Sequence, residues 1–157
     1  MEAWRLGGWE AGRLGALGAG GRGAATREHA GCGYTVPNGA LYSTVDDLAR
    51  FVAFELGHGP DAVLPRARLD ANFNRVNSSN GRLDSAYGVG FQAVRRGGRV
   101  YVGHGGSVAG YTAQAWVHRA SQSGVIVLRS ASGGRFDVTG LTFGALDVVA
   151  GVDGSPR

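Results

Sequence analysis

From Tyr87 onward the chain adopts a period of two, and glycines punctuate it. Successive side chains of a strand point to opposite faces, so this alternation marks half-buried strands rather than helix. Gly88 to Val94 is one such run, Arg96-Gly97-Gly98 a turn, and Arg99 to His104 the next, so the two form a hairpin. Tyr111, Ala113, Ala115 and Val117 share one face of the following strand, and Ser121 to Gly124 turns the chain again. Val125-Ile126-Val127-Leu128 is apolar without alternation, the pattern of a strand covered on both faces.

Helical patterns flank this block. Thr44 or Ser43 caps a helix whose first turn carries Asp46 and Asp47, placed to suit the helix dipole rather than to act as an acid/base pair. Val45, Leu48, Ala49, Val52 and Leu56 recur at helical spacing, and Gly57 to Pro60 ends the run. Leu64 to Phe73 holds a shorter helix opened by Pro65. Asn74 to Ser85 is polar and turn-rich, a surface loop in which Asn77-Ser78-Ser79 fits a glycosylation triplet of the kind common by chance. Phe136 to Ala150 is a final helix with Val138, Leu141, Ala145 and Val149 inward. Helix, strands, helix is an α+β order, with an antiparallel sheet packed against helices.

Residues 1–33 are Gly/Ala/Arg-rich and weakly patterned, and read as a poorly ordered segment; residues 34–150 carry the folded pattern and 151–157 a polar tail. Gly18 to Gly23 formally matches a dinucleotide-binding glycine pattern, but no strand precedes it and no helix follows. All 16 basic residues are Arg, and there is no Lys. A net charge of +4 raises nucleic acid as a partner, yet no run of five or six basic residues occurs and the arginines are dispersed, so nucleic acid is not expected. No apolar run reaches the ~20 residues of a membrane span, and Arg and Gly interrupt every stretch that could form a signal peptide, which leaves localisation open. Cys32 is the lone cysteine, so no intrachain disulfide forms, and it reads as an inert thiol. His29, His58 and His118 lack metal-ligand spacing and read as surface residues; nothing in the sequence calls for a metal or cofactor.

His104 is different. It sits in Val102-Gly103-His104-Gly105-Gly106-Ser107-Val108, where absent Cβ atoms let another backbone approach. Ser107 is not a nucleophile elbow, because Ala109 stands where that motif wants Gly and a strand follows in place of a helix. Tyr111 and Trp116 read as sheet-packing aromatics.

Four pieces then line up: Asn38 to Phe51, Tyr87-Gly88-Val89-Gly90-Phe91, His104 to Tyr111, and Gly124 to Leu128. In this order and spacing, over 34–150, the chain resembles the C-terminal part of the serine β-lactamase-related family, which holds class C β-lactamases, D-alanyl-D-alanine carboxypeptidases and esterases. The resemblance implies a partial β-lactamase/transpeptidase-like fold and amide or ester hydrolysis through an acyl-enzyme. His104-Gly105-Gly106 would be the family's third motif, on the strand lining the cleft. His104 would face the substrate and bind its carboxylate or assist proton traffic. The Ser107 N–H would be the second oxyanion donor.

The family's other motifs are missing from this sequence. Without Lys there is no Ser-x-x-Lys, and none of the five tyrosines begins a Tyr-x-Asn. The expectation is therefore a C-terminal fragment, inactive alone, that meets a small acyl substrate (β-lactam, peptide or ester) only when an upstream segment complements it. The competing expectation is a non-catalytic interaction module whose open sheet edge invites self-association or another chain.

Overall fold

The computed structural model describes residues 39, 41–74, 78–79, 84–108, 110–130 and 136–151. Residues 1–33 and 152–157, and with them the Gly18 to Gly23 pattern, His29, Cys32 and Asn77, lie outside the described residues.

Helix α1 spans Val45–Ala53. Thr44 is its N-cap: the backbone is extended there, and the hydroxyl accepts from the Asp47 N–H. The coil then widens into a π-helical turn, Phe54–His58, and Gly57 ends it at φ 92°. Val52 and Leu56 are buried, but Val45 and Ala49 are exposed, so the inward stripe covers only the second half of the expected one. Helix α2, Arg66–Asn74, starts behind Pro65, whose carbonyl accepts from the N–H groups of Arg68 and Leu69. Its Asp70 pairs with Arg66 and with Arg119, in the turn after His118; the Arg119 guanidinium, with Arg66 beside it, holds the Asp70 carboxyl below the usual range.

Six antiparallel strands follow in strict meander order. They are β1 Ser78–Ser79, β2 Ser85–Tyr87, β3 Gln92–Arg96, β4 Arg99–Val108, β5 Tyr111–His118 and β6 Ser123–Ser130. The short β1 lies inside the segment expected to be a loop. The strand expected from Gly88 instead divides: Gly88 to Phe91 is a connection, closed by the Gly88 N–H donating to the Phe91 carbonyl at 2.8 Å, with Gly90 at φ 78°. Glycine permits that bend, which a strand does not contain. Gly97 and Gly98, both at positive φ, form the tight turn between β3 and β4, so Arg96 faces Arg99. Strand β4 runs four residues past His104, so the glycine run is strand. Strand β6 pairs only with β5 among the described residues, so it is an edge strand; as its sequence pattern implies, both faces meet helices, with Ile126 packed on the α1/α2 side and Val125 on the α3 side, while Leu128 is 40% exposed.

Helix α3, Val138–Val149, is capped by Asp137, whose carboxylate accepts from the Gly140 N–H at 2.8 Å. Its buried face is Val138, Thr142, Phe143 and Leu146; Leu141 and Val149, expected inward, are 49% and 52% exposed. The helix is turned so that Phe143 packs on Trp116 and Tyr101, with centroids 4.9 and 5.8 Å away. The buried Thr142 hydroxyl donates to the Val138 carbonyl, so it carries no desolvation cost.

The core divides by sheet face. Val102 and Val117, cross-strand partners, pack with Val52, Leu56 and Leu69 on the α1/α2 side. Tyr101 and Trp116, one residue away on each strand, pack with Phe143 and Leu146 on the α3 side. The observed architecture is thus α+β, an antiparallel sheet between two helical layers. His118 is buried rather than on the surface: its ring tilts against Tyr101, and its Nδ1 meets the Ser121 hydroxyl at 2.7 Å. No helix among the described residues is long and apolar enough to cross a membrane.

Candidate functional site

Strand β3 reaches only as far as Gln92, opposite Gly103. Beyond Gly103, β4 pairs with β5 alone, from His104↔Ala115 to Val108↔Tyr111. One edge of His104 to Val108 therefore has no strand neighbour among the described residues. The alternation of antiparallel pairing says which groups point there. A two-residue turn closes on a hydrogen-bonded pair, which makes Arg96↔Arg99 such a pair and sends odd-numbered β4 residues toward β3. Consistently, the Arg95 N–H donates away from β4, to the Asp84 carbonyl at 2.7 Å. Continued along β4, the alternation aims the N–H and C=O groups of Gly105 and Ser107 at the open edge.

The glycines here have separate reasons. A Cβ on Gly103 would lie 2.1 Å from the Ala115 carbonyl oxygen and 2.7 Å from the Trp116 Cα. One on Gly105 would strike the Gln114 amide, which accepts from Trp116 Nε1 at 2.6 Å and donates to the Thr139 hydroxyl at 3.2 Å. One on Gly106 would meet nothing within 4 Å.

Two concavities flank the same residues. On the α1 side a cavity of about 570 Å³ takes in Gly106, Ser107, Val108, Tyr111, Leu128 and Tyr42. On the α3 side a shallower one of about 400 Å³ includes Gly105, Gly106, Ser107, Gln114, Trp116 and Thr139. Gly105, Gly106 and Ser107 are thus brought together around the open edge. The Ser107 hydroxyl stands 3.2 Å from that of its cross-strand partner Thr112. His104 is exposed and lines neither cavity; its Nε2 lies 2.9 Å from the Tyr87 hydroxyl, with the two rings edge to face at 5.7 Å. Trp116 is a packing aromatic as expected, whereas Tyr111 sits edge-on to Tyr42 at the mouth of the larger cavity.

Sequence reasoning missed Tyr87 and Gln114 as parts of the site. Tyr87 stood in the Tyr87-Gly88-Val89-Gly90-Phe91 piece, but no spacing rule ties a residue before one hairpin to a histidine after the next. Gln114 lies among residues that alternate as ordinary strand. Among the described residues no group of three or more His, Cys, Asp or Glu is placed to hold a metal ion.

A family model described as Beta-lactamase matches residues 2–149, a span that includes most of residues 1–33. No protein among the curated sequences compared matches the chain. Among solved structures, a D-stereospecific amidohydrolase from Streptomyces sp. is similar at 25% identity with a TM-score of 0.47. The similarity covers 57% of this chain and 26% of that one, so this chain matches about a quarter of that protein's length.

Proposed function

This chain belongs to the β-lactamase family, and from that premise we propose that it supplies one wall of an acyl-transfer cleft. The observation that carries the reading is the open edge of β4, where the Gly105 and Ser107 backbone groups point outward beside His104. An extended acyl substrate (β-lactam, peptide or ester) adds to that edge as a strand would. The Ser107 N–H, held by the sheet, is a preorganised donor for the charge that develops on a carbonyl oxygen under attack. His104 supplies a polar group to the substrate's carboxylate or to a proton in transit.

The chemistry needs a nucleophile and a base within hydrogen-bond reach. The sequence contains neither Ser-x-x-Lys nor Tyr-x-Asn. In this reading the chain alone does not turn over, and a polypeptide carrying those motifs restores activity. The assay is hydrolysis of nitrocefin and p-nitrophenyl esters, with the chain alone and with such a polypeptide added. Turnover by the chain alone that a serine-directed acylating reagent abolishes would overturn the inactivity and point to one of the ten serines.

A second reading is favoured by the opposite edge. Strand β6 offers eight residues, including Val125-Ile126-Val127-Leu128, with no further strand beside them among the described residues. An edge strand with an apolar run of this kind pairs readily with another chain. Analytical ultracentrifugation tests it: association that Leu128→Lys abolishes supports an interaction module, and a monomer at all concentrations removes that reading.

A further inference from the structure

His104 and Tyr87 are 17 residues apart in sequence, and the β2–β3–β4 meander brings them together. The contact has two parts. The phenol oxygen lies 2.9 Å from His104 Nε2, and the two rings meet edge to face at 88°. On its own strand His104 is flanked by Gly103 and Gly105, and its cross-strand partner is Ala115, so these neighbours have little or no side chain with which to orient an imidazole. Tyr87 is its one hydrogen-bond partner found among the described residues.

We propose that Tyr87 is a positioning residue that fixes which nitrogen of His104 carries the proton. A neutral imidazole has one N–H and one bare nitrogen, and a phenol can donate or accept. Imidazole nitrogen is a far better proton acceptor than phenol oxygen, so the O–H of Tyr87 donates and Nε2 accepts. The proton of neutral His104 then resides on Nδ1. The bond made by one ring nitrogen determines what the other offers. His104 so held presents Nδ1–H as a donor, suited to a carboxylate or another anionic oxygen, and not a bare nitrogen suited to removing a proton. This deepens the cleft-wall reading, on which the role toward substrate rests: it selects anion binding over base catalysis for His104.

The tautomer is measurable without substrate or turnover, so failure here is distinct from failure of the hydrolase reading. Long-range 15N–1H correlation on histidine-labelled protein, above the histidine titration range, is expected to show His104 mainly as the Nδ1–H form. Tyr87→Phe keeps the ring contact and removes the hydroxyl; the Nδ1–H to Nε2–H ratio of His104 is expected to fall about fivefold, the worth of one ordinary hydrogen bond. His118, bonded through Nδ1 to Ser121, serves as the internal control and keeps its pattern when the fold is intact. A wild-type His104 mainly in the Nε2–H form, or a ratio that Tyr87→Phe leaves unchanged with His118 unmoved, overturns the assignment.

Discussion

From Arg99 to Gly103, β4 pairs with β3, joined from Val102 onward by β5; from His104 to Val108 it has β5 alone among the described residues. The first half holds Tyr101 and Val102, buried on opposite faces in the two apolar clusters. The second half holds exposed His104, Gly106 and Ser107 and faces two cavities. The glycines mark the change. Gly103 is glycine because the neighbouring backbone occupies the space, and Gly106 stands where the space is empty. Glycine thus serves packing at Gly103 and access at Gly106.

The largest test of this contrast concerns the roof of the closed half. Glu55, next to Leu56 of the α1-side cluster, is 2% exposed, and its Oε2 has no hydrogen-bond partner among the described residues. Burial pushes its carboxyl up to about 8 from an ordinary 4.5. Below about pH 4.5 the acid is neutral in folded and unfolded chains alike. Between 4.5 and about 8 the unfolded chain has released a proton that the folded chain retains, so stability falls as pH rises and then levels off. The full loss is on the order of 5 kcal/mol, and Glu55→Gln is expected to abolish the slope. Urea denaturation at about pH 5 and about pH 9 reads it; equal slopes in both proteins would mean that the roof is wet.

Gly103→Ala follows, with an expected loss of about 3 kcal/mol from forced overpacking against Ala115 and Trp116. A smaller effect comes from Tyr101→Phe, which removes the hydrogen bond from the phenol to Asp147 that ties β4 to α3. About 1–2 kcal/mol is expected, measured as the shift in denaturation midpoint. Least of all is Gly106→Ala, expected to change stability by under about 0.5 kcal/mol. In a complemented, active protein, however, the added methyl group intrudes between the two cavities and is expected to raise KM for acyl substrates. A Gly106→Ala protein as unstable as Gly103→Ala would erase the distinction between the halves.

The sheet was legible because its cues are local. The Gly97-Gly98 turn and the alternation of Tyr111 to Val117 fixed the central hairpins. Faces of helices were less so, since apolar spacing does not say which rotation a partner rewards: α3 turned to seat Phe143 on Trp116, leaving Leu141 outside. For β6 the apolar run reflects an edge strand lying between two helical layers, which composition cannot tell from a central one. Gly105, Gly106 and Ser107, singled out by their setting beside a histidine, lie together along the open edge. The Tyr87 contact was not legible, because it depends on how far β3 extends before the sheet opens.

The meander order has a kinetic meaning. Each strand pairs with the one made just before it, so every closure joins segments separated by a short turn. Chain entropy is then lost in small steps, and topologies of this local kind fold faster than those that must first join distant segments. Emerging from a ribosome, β2 to β6 can zip in order of synthesis, one hairpin after another, before α3 arrives to seal the Tyr101–Trp116 face.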